Sequence, residues 1–444
     1  MTRHRQAVQG NQNIHPDNRP SIVMIDLVIA IYILLCFGST VAFVMKVQQL
    51  QEAPSWSLLI YAPTMVMTVV AFAYRPLQSL RTALIGGPML VFVLVTLLSF
   101  TWSNQPALTL RQGLLMCMTY GAACMLSQYL TWVRLTRILA FVFCLQAGIS
   151  AALAILTPQW GVMTTIYPGA WSGIWSFKQT LGVAMAVAAG GVTGYFLMQP
   201  KSARWTLPGL LIICVCVIKS EATTAILVSV VAVGMPVAIW LAQRHPSAAI
   251  LSTWAIVSGL ALLFLIITIL SPLVFQMLGK APTLTGRTDI WQALAEPIAA
   301  RPWLGWGYQA FWTDQTLTSP VGRIESQLDG FRPPDAHSTP MDVRLQLGLV
   351  GLTLIGITFV RTWILMLRQA GKVPAMAPMI GIFTAITAMC FTESIGLYPM
   401  DGMTLIVQVV IVKTALSAWE PKPPNKLVAK PYNPDTQTHM GIGS

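Results

Sequence analysis

Apolar runs of about twenty residues, the length that crosses a bilayer, recur from residue 21 to residue 416. Charged residues make up only 9% of the 444, against 55% hydrophobic, and the mean hydropathy is +0.66. An ordinary soluble domain carries about 25% charge. A chain this poor in charge cannot cover a globule of its size with solvated surface, which excludes a water-soluble enzyme, a disordered protein and a disulfide scaffold. The expected fold is all-α: a polytopic membrane protein of about twelve transmembrane helices. Spans are expected near 21–45, 57–74, 83–101, 111–129, 137–157, 180–199, 206–218, 223–242, 249–271, 343–366, 375–391 and 401–416. The seventh is short and the fourth is interrupted by small residues. The first is too long for a cleaved signal peptide and lacks a small-residue cleavage site. Cys36, Cys117, Cys124, Cys144, Cys214, Cys216 and Cys390 all lie in apolar runs with no metal-site spacing, which reads as buried free thiols.

The formal net charge is +12. In a polytopic chain that excess reports orientation, not nucleic-acid binding. With the N-terminus in the cytoplasm, 17 of the 27 Lys and Arg residues fall on the cytoplasmic side, and both termini lie inside. The tails, 1–20 and 418–444, are polar and rich in Pro and Asn; this composition predicts disorder. Residues 21–417 form the membrane domain. One outward loop, about 272–342, is too long for a plain connection and is rich in Trp, Gly and Arg. Its segment 288–300 reads as an amphipathic helix capped by Thr288 or Asp289, with Ile290, Trp291, Leu294 and Ile298 on one face. The aromatics of the run Arg301-Pro-Trp-Leu-Gly-Trp-Gly-Tyr308 suit the headgroup layer.

No Walker A motif, HExxH or Cys/His cluster is present, which argues against ATP-driven pumping and a metal site. The pair Gly305 and Gly307 is too weak for a phosphate loop. Of the five histidines, His337 is the one expected to face outward. It precedes the tenth span in Ala336-His-Ser-Thr-Pro-Met-Asp-Val-Arg344. Ser338 can cap that helix with Pro340 in its first turn, and helical spacing then puts His337, Met341 and Arg344 on nearly one face. A neutral imidazole can take a proton from a hydroxyl, and Asp335 or Asp342 could orient its other nitrogen; a capping or interfacial histidine is the bland alternative. Outward cations Arg111, Lys178, Lys219, Arg287 and Arg344 sit near membrane boundaries with few acids nearby, chiefly Glu221, Asp342, Glu393 and Asp401. Such a cluster suits a diphosphate, and ordinary snorkelling is its alternative.

Four motifs resemble the O-antigen ligase and polysaccharide polymerase superfamily, most closely its exopolysaccharide polymerase (ExoQ-like) branch. They are Trp102-Ser-Asn-Gln-Pro-Ala-Leu-Thr-Leu-Arg111; Trp171-Ser-Gly-Ile-Trp-Ser-Phe-Lys178-Gln-Thr-Leu-Gly182; Gly286-Arg287-Thr-Asp-Ile-Trp291 running to Arg301-Pro-Trp-Leu-Gly-Trp-Gly-Tyr308; and Ala336-His337-Ser with Leu345-Gln-Leu-Gly-Leu-Val-Gly351. The likeness covers roughly residues 95–355. Two departures stand out: Phe177-Lys178-Gln179 replaces the usual His-Lys-Asn, and Ser220-Glu-Ala-Thr-Thr224 lacks the usual basic residue, with Lys219 just before it.

The resemblance implies a GT-C-like, metal-independent glycosyltransferase without cofactor, at the periplasmic face of the bacterial inner membrane. Its donor would be a polyprenyl-diphosphate-linked oligosaccharide (an undecaprenyl diphosphate lipid) drawn from the bilayer, joined to another repeat unit to give exopolysaccharide. His337 and Arg287 would be catalytic, and Arg111, Lys178, Lys219, Arg344, Arg301 and Trp291 substrate-binding. Chain-length regulator and export proteins would be its partners. A ligase that transfers glycan to lipid A or protein is the neighbouring reading. A transporter is the rival from another class, although a transporter should show repeats and mid-membrane polar residues. A non-catalytic assembly partner has no positive feature in the sequence.

Overall fold

In a computed structural model, residues 57–244, 287–314, 316 and 318–419 are described; the expected spans at 21–45 and 249–271, the start of the long loop, and nearly all of both expected tails lie outside them. The described helices are α1 (Ser57–Tyr74), α2 (Pro76–Ile85), α3 (Pro88–Leu98), α4 (Pro106–Tyr129), α5 (Trp132–Leu156), α6 (Lys178–Met198), α7 (Ala203–Lys219), α8 (Thr223–Arg244), α9 (Arg287–Ala293), α10 (Ala295–Ala300), α11 (Pro320–Gln327), α12 (Thr339–Gln369), α13 (Met376–Met389) and α14 (Gly402–Trp419), with a single turn at Pro158–Gly161 between α5 and α6. Apart from one isolated bridge, Val162 to Trp171, the described secondary structure is helical. Six of the helices are long and apolar enough to cross a membrane, or seven if α2 and α3 count as one broken span.

The expected span at 83–101 is two helices bent by 98°. The chain turns at Gly86-Gly87-Pro88, where Gly87 has φ 62° and the proline lacks the N–H that would continue the ladder. The Arg361 guanidinium donates to the freed carbonyls of Ile85 and Gly86 at 2.9 and 3.0 Å. The fourth span is a continuous helix, α4; its small residues permit close packing rather than a break. The short seventh span is completed by a 3₁₀ turn at Pro200–Ser202 before α7.

The tenth span also differs. α12 has 31 residues, about 46 Å of helix, more than a bilayer core of about 30 Å needs. It is broken at Gly348, which has φ 64° and ψ −157°. Residues 302–307 dock into that break: Trp306 N–H donates to Leu345 O, Gly307 N–H to Gln346 O, Leu349 N–H to Pro302 O and Val350 N–H to Trp303 O, at 2.9–3.2 Å. A Cβ on Gly348 would lie 2.2 Å from the Trp303 carbonyl, so only glycine serves here. The third and fourth sequence motifs are thus two halves of one interlock. The eleventh span, α13, has 14 residues, about 21 Å, and is too short to cross alone.

The bundle core lies between α6 and α13, which meet through glycines. A Cβ on Gly190 would stand 2.5 Å from Gly381 O, and one on Gly381 still closer to Gly190 O. In a membrane, helices associate by such close backbone packing rather than by a hydrophobic drive. Gly190→Leu should therefore lower the unfolding midpoint in detergent sharply, since overpacking costs about 1–3 kcal/mol or more; a wild-type midpoint would show that the helices can part without loss.

Several segments expected on the same side touch in pairs. Trp102 Nε1 donates to Leu304 O at 2.9 Å, Trp171 N–H to Lys219 O at 2.8 Å, and Tyr308 Oη to Leu397 O at 2.5 Å. At the opposite end, the Lys413 ammonium donates to Ser127 O and Leu130 O, both at 2.7 Å.

The long loop has its own apolar core. Ile290, Leu294, Ile298, Phe311, Val321, Ile324, Ala336 and Leu345 are buried together, with Trp291 packed against them. The expected amphipathic face at 288–300 is thus present. The helix starts at Arg287, however, and is interrupted at Leu294, so Thr288 and Asp289 stand in its first turn instead of capping it. Tyr308 is fully buried within the protein.

Candidate active site

His337 sits in a tight turn just before α12. Its φ of 48° places it in the left-handed region, an uncommon conformation that must be held by its surroundings. Four contacts hold it. The Asp335 carboxylate accepts from His337 N–H at 2.7 Å, and the Asp342 carboxylate accepts from Ala336 N–H at 3.2 Å. Trp291 Nε1 donates to Ala336 O at 2.8 Å, and Ser338 N–H donates to Ser394 Oγ at 3.2 Å. Because α12 begins at Thr339, His337 lies outside the helix, and the expected common face with Met341 and Arg344 does not form. Ser338 occupies the N-cap position, but its side chain makes no capping bond; Pro340 is in the first turn as expected.

The loop 390–401, between α13 and α14, supplies the other wall. Glu393 Oε1 lies 2.5 Å from Arg287 Nη2, and its Oε2 lies 3.5 Å from His337 Nδ1. Asp335 Oδ1 is also 3.5 Å from Nδ1. Behind these, Tyr398 Oη donates to Asp335 Oδ2 at 3.1 Å, Ser394 Oγ bridges Asp335 and Asp342, and Trp312 Nε1 donates to Asp342 at 2.8 Å. Thr339 N–H and Oγ1 both donate to Glu393 O, at 3.2 and 3.1 Å, which pins the loop to α12. The hydrogen bond to Glu393 is the main influence raising the His337 pKa above 6.5; burial opposes it, the Asp335 and Glu393 charges add to it, and the Arg287 charge subtracts. Burial pushes the Tyr398 phenol well above its ordinary value, so it stays a donor to Asp335.

The expected cations occupy several environments. Arg287 is buried and paired, not free as a cation cluster would have it. Arg301 donates to Trp102 O at 3.3 Å and lies 4.2 Å from the Trp306 ring centroid. Lys178 is buried at the start of α6, with Nζ 3.4 Å from Glu221 O and 3.9 Å from the Tyr167 ring centroid. Lys219 and Arg111 are exposed. Arg344 is half-buried, and its Nε has no hydrogen-bond partner among the described residues. Trp291 spends its indole N–H on the His337 turn. Gly305 and Gly307 lie against Gln346 and Ser103 in the interlock. Ser394 and Tyr398 were not singled out from the sequence; the acidic Glu393 in a short polar break between two apolar runs was the signal for that loop. Among the described residues, no group of three or more His, Cys, Asp or Glu side chains is placed to hold a metal ion.

Residues 208–356 match the family model described as O-antigen ligase. That stretch contains the interlock, the His337 turn and Arg287. The chain is also similar to the exopolysaccharide production protein ExoQ of Rhizobium meliloti (strain 1021), 25% identical over 321 residues, which are 68% of this chain and 71% of that protein. Together these matches support the O-antigen ligase/ExoQ-like superfamily. The chain is accordingly a multi-pass membrane protein, helical throughout its described residues apart from one isolated bridge, and the matches support polysaccharide polymerase or ligase function.

Proposed function

We propose that this protein joins polyprenyl-diphosphate-linked oligosaccharide repeat units into exopolysaccharide at the periplasmic face of the inner membrane. The observation that carries the reading is one half-buried carboxylate, Glu393, holding both an arginine and a histidine just beyond the ends of α12 and α13. In this reaction His337 takes the proton from an acceptor sugar hydroxyl as its oxygen attacks the anomeric carbon of the donor. The bond from that carbon to the diphosphate oxygen breaks, and the leaving diphosphate keeps the electron pair. Arg287, with its preorganised N–H groups, stabilises the charge as it develops. Lys178, Arg301, Arg344, Arg111 and Lys219 supply the surrounding positive field, and the bundle admits the polyprenyl tail from the bilayer. Both termini are cytoplasmic in this arrangement, residues 21–417 form the membrane domain, and chain-length regulator and export proteins are its partners. The relative's name, which concerns exopolysaccharide production, favours polymerisation.

Ligation to lipid A or protein is the second reading, favoured by the description of the matched family model. Mass spectrometry of lipid-linked intermediates in a deletion strain separates the two. Accumulated single repeat units are expected. Accumulated long lipid-linked chains would mean a ligase, and unchanged intermediates and extracellular glycan would defeat both.

A further inference from the structure

Glu393 joins the two groups on which the proposed chemistry depends. Its Oε1 is 2.5 Å from Arg287 Nη2 and its Oε2 is 3.5 Å from His337 Nδ1. The side chains of Arg287 and Glu393 are 10% and 16% exposed, so water screens their charges poorly and a second anion entering beside Glu393 meets strong repulsion. The same guanidinium is the group a donor diphosphate would seek. The Glu393 backbone is pinned through its carbonyl to Thr339, which leaves rotation of the side chain as the available response. The charged and titratable groups around His337 are Glu393 and Asp335 beside the ring, Arg287 behind Glu393, Tyr398 behind Asp335, and Asp342 behind Ser394.

We infer that Glu393 is a positioning residue and a stand-in for the donor: its carboxylate occupies Arg287 while the site is empty and swings onto His337 Nδ1 when a diphosphate takes Arg287 over. The inference rests on the transferase reading above. Closing on Nδ1–H fixes the tautomer that leaves Nε2 free to accept the hydroxyl proton. The 3.5 Å contact is then the one that shortens when the donor takes Arg287. Donor binding and alignment of the base become one event. A hydroxyl, including that of water, then meets an aligned base only when there is a donor to attack.

The test uses the full chain in lipid nanodiscs, with farnesyl diphosphate as the binding probe and lipid-linked repeat units as substrate. Glu393→Gln should bind the probe about tenfold more tightly, because the competing carboxylate is gone; that lies within the usual range of coupling between sites. The same variant should turn over far more slowly, and the acid limb of its pH–rate profile should move to lower pH, because the main influence raising the His337 pKa has been removed. A purely structural role would weaken binding and leave the limb in place. Glu393→Asp, one methylene shorter, holds Arg287 less closely and so competes less, and should bind the probe more tightly than the wild type but less tightly than Glu393→Gln; it serves as the independent check if the Gln variant is unstable. Probe binding that depends on Arg287 yet is unchanged or weaker in both variants overturns the stand-in role while sparing the transferase reading. Failure of the wild type to bind the probe or consume repeat units overturns both.

Discussion

His337→Gln should make essentially no polymer and should accumulate lipid-linked repeat units. A sugar hydroxyl is a poor nucleophile at neutral pH, and a positioned base contributes about a hundred- to ten-thousand-fold. Glutamine can keep a hydrogen bond but accepts no proton, so it should fail as badly as alanine. Donor binding should survive, because Arg287 remains. The wild-type pH profile carries the same signature. A base must be neutral to act, and the hydrogen bond to Glu393 raises the His337 pKa above 6.5. Activity should therefore rise with pH through a value above 6.5, and His337→Gln should lose that limb with the activity. Near-normal polymer from His337→Gln would leave His337 a turn residue and move the search for the base to Asp335, Asp342 or Glu393.

Arg287→Ala should lose about a hundred- to a thousand-fold in polymer formation, the usual cost of one preorganised donor to developing charge, while the protein still inserts. Arg287→Lys should recover little, because an ammonium lacks the guanidinium's bidentate fork. The alanine variant also frees Glu393 beside His337 and removes the one influence that Arg287 exerts against protonation of the ring. Its residual activity should accordingly show an acid limb at higher pH than the wild type. Full activity would reduce Arg287 to a buried ion pair that anchors the loop.

The two variants probe a site only partly legible in the sequence. His337 stood out as the histidine expected to face outward and Arg287 as a cation expected near a membrane boundary, and both fall in motifs that resemble the superfamily. Their meeting point did not, because Glu393 is 56 residues from His337 and 106 from Arg287, and no local periodicity reports a contact of that range. Trp291 shows the same limit. Its place on an amphipathic face was legible, but its use of the indole N–H to hold the Ala336 carbonyl depends on how the loop's small core docks on α12. The breaks at Gly87 and Gly348 were missed because hydropathy averages across them: two apolar helices joined by a bend read the same as one straight span.

The sequence by itself determined that the chain lives in a bilayer, since too few charges exist to solvate it. It also determined the helical class, because its apolar runs have the length of a spanning helix rather than of a strand, and a helix satisfies its own backbone hydrogen bonds in lipid. The tertiary structure decided the rest: the insertion of residues 302–307 into the break at Gly348, the close approach of Gly190 and Gly381, and the left-handed turn that presents His337 to Glu393. These are matters of backbone conformation and of contacts between distant segments. Apolar patterning says which residues are buried, but not which of them meet.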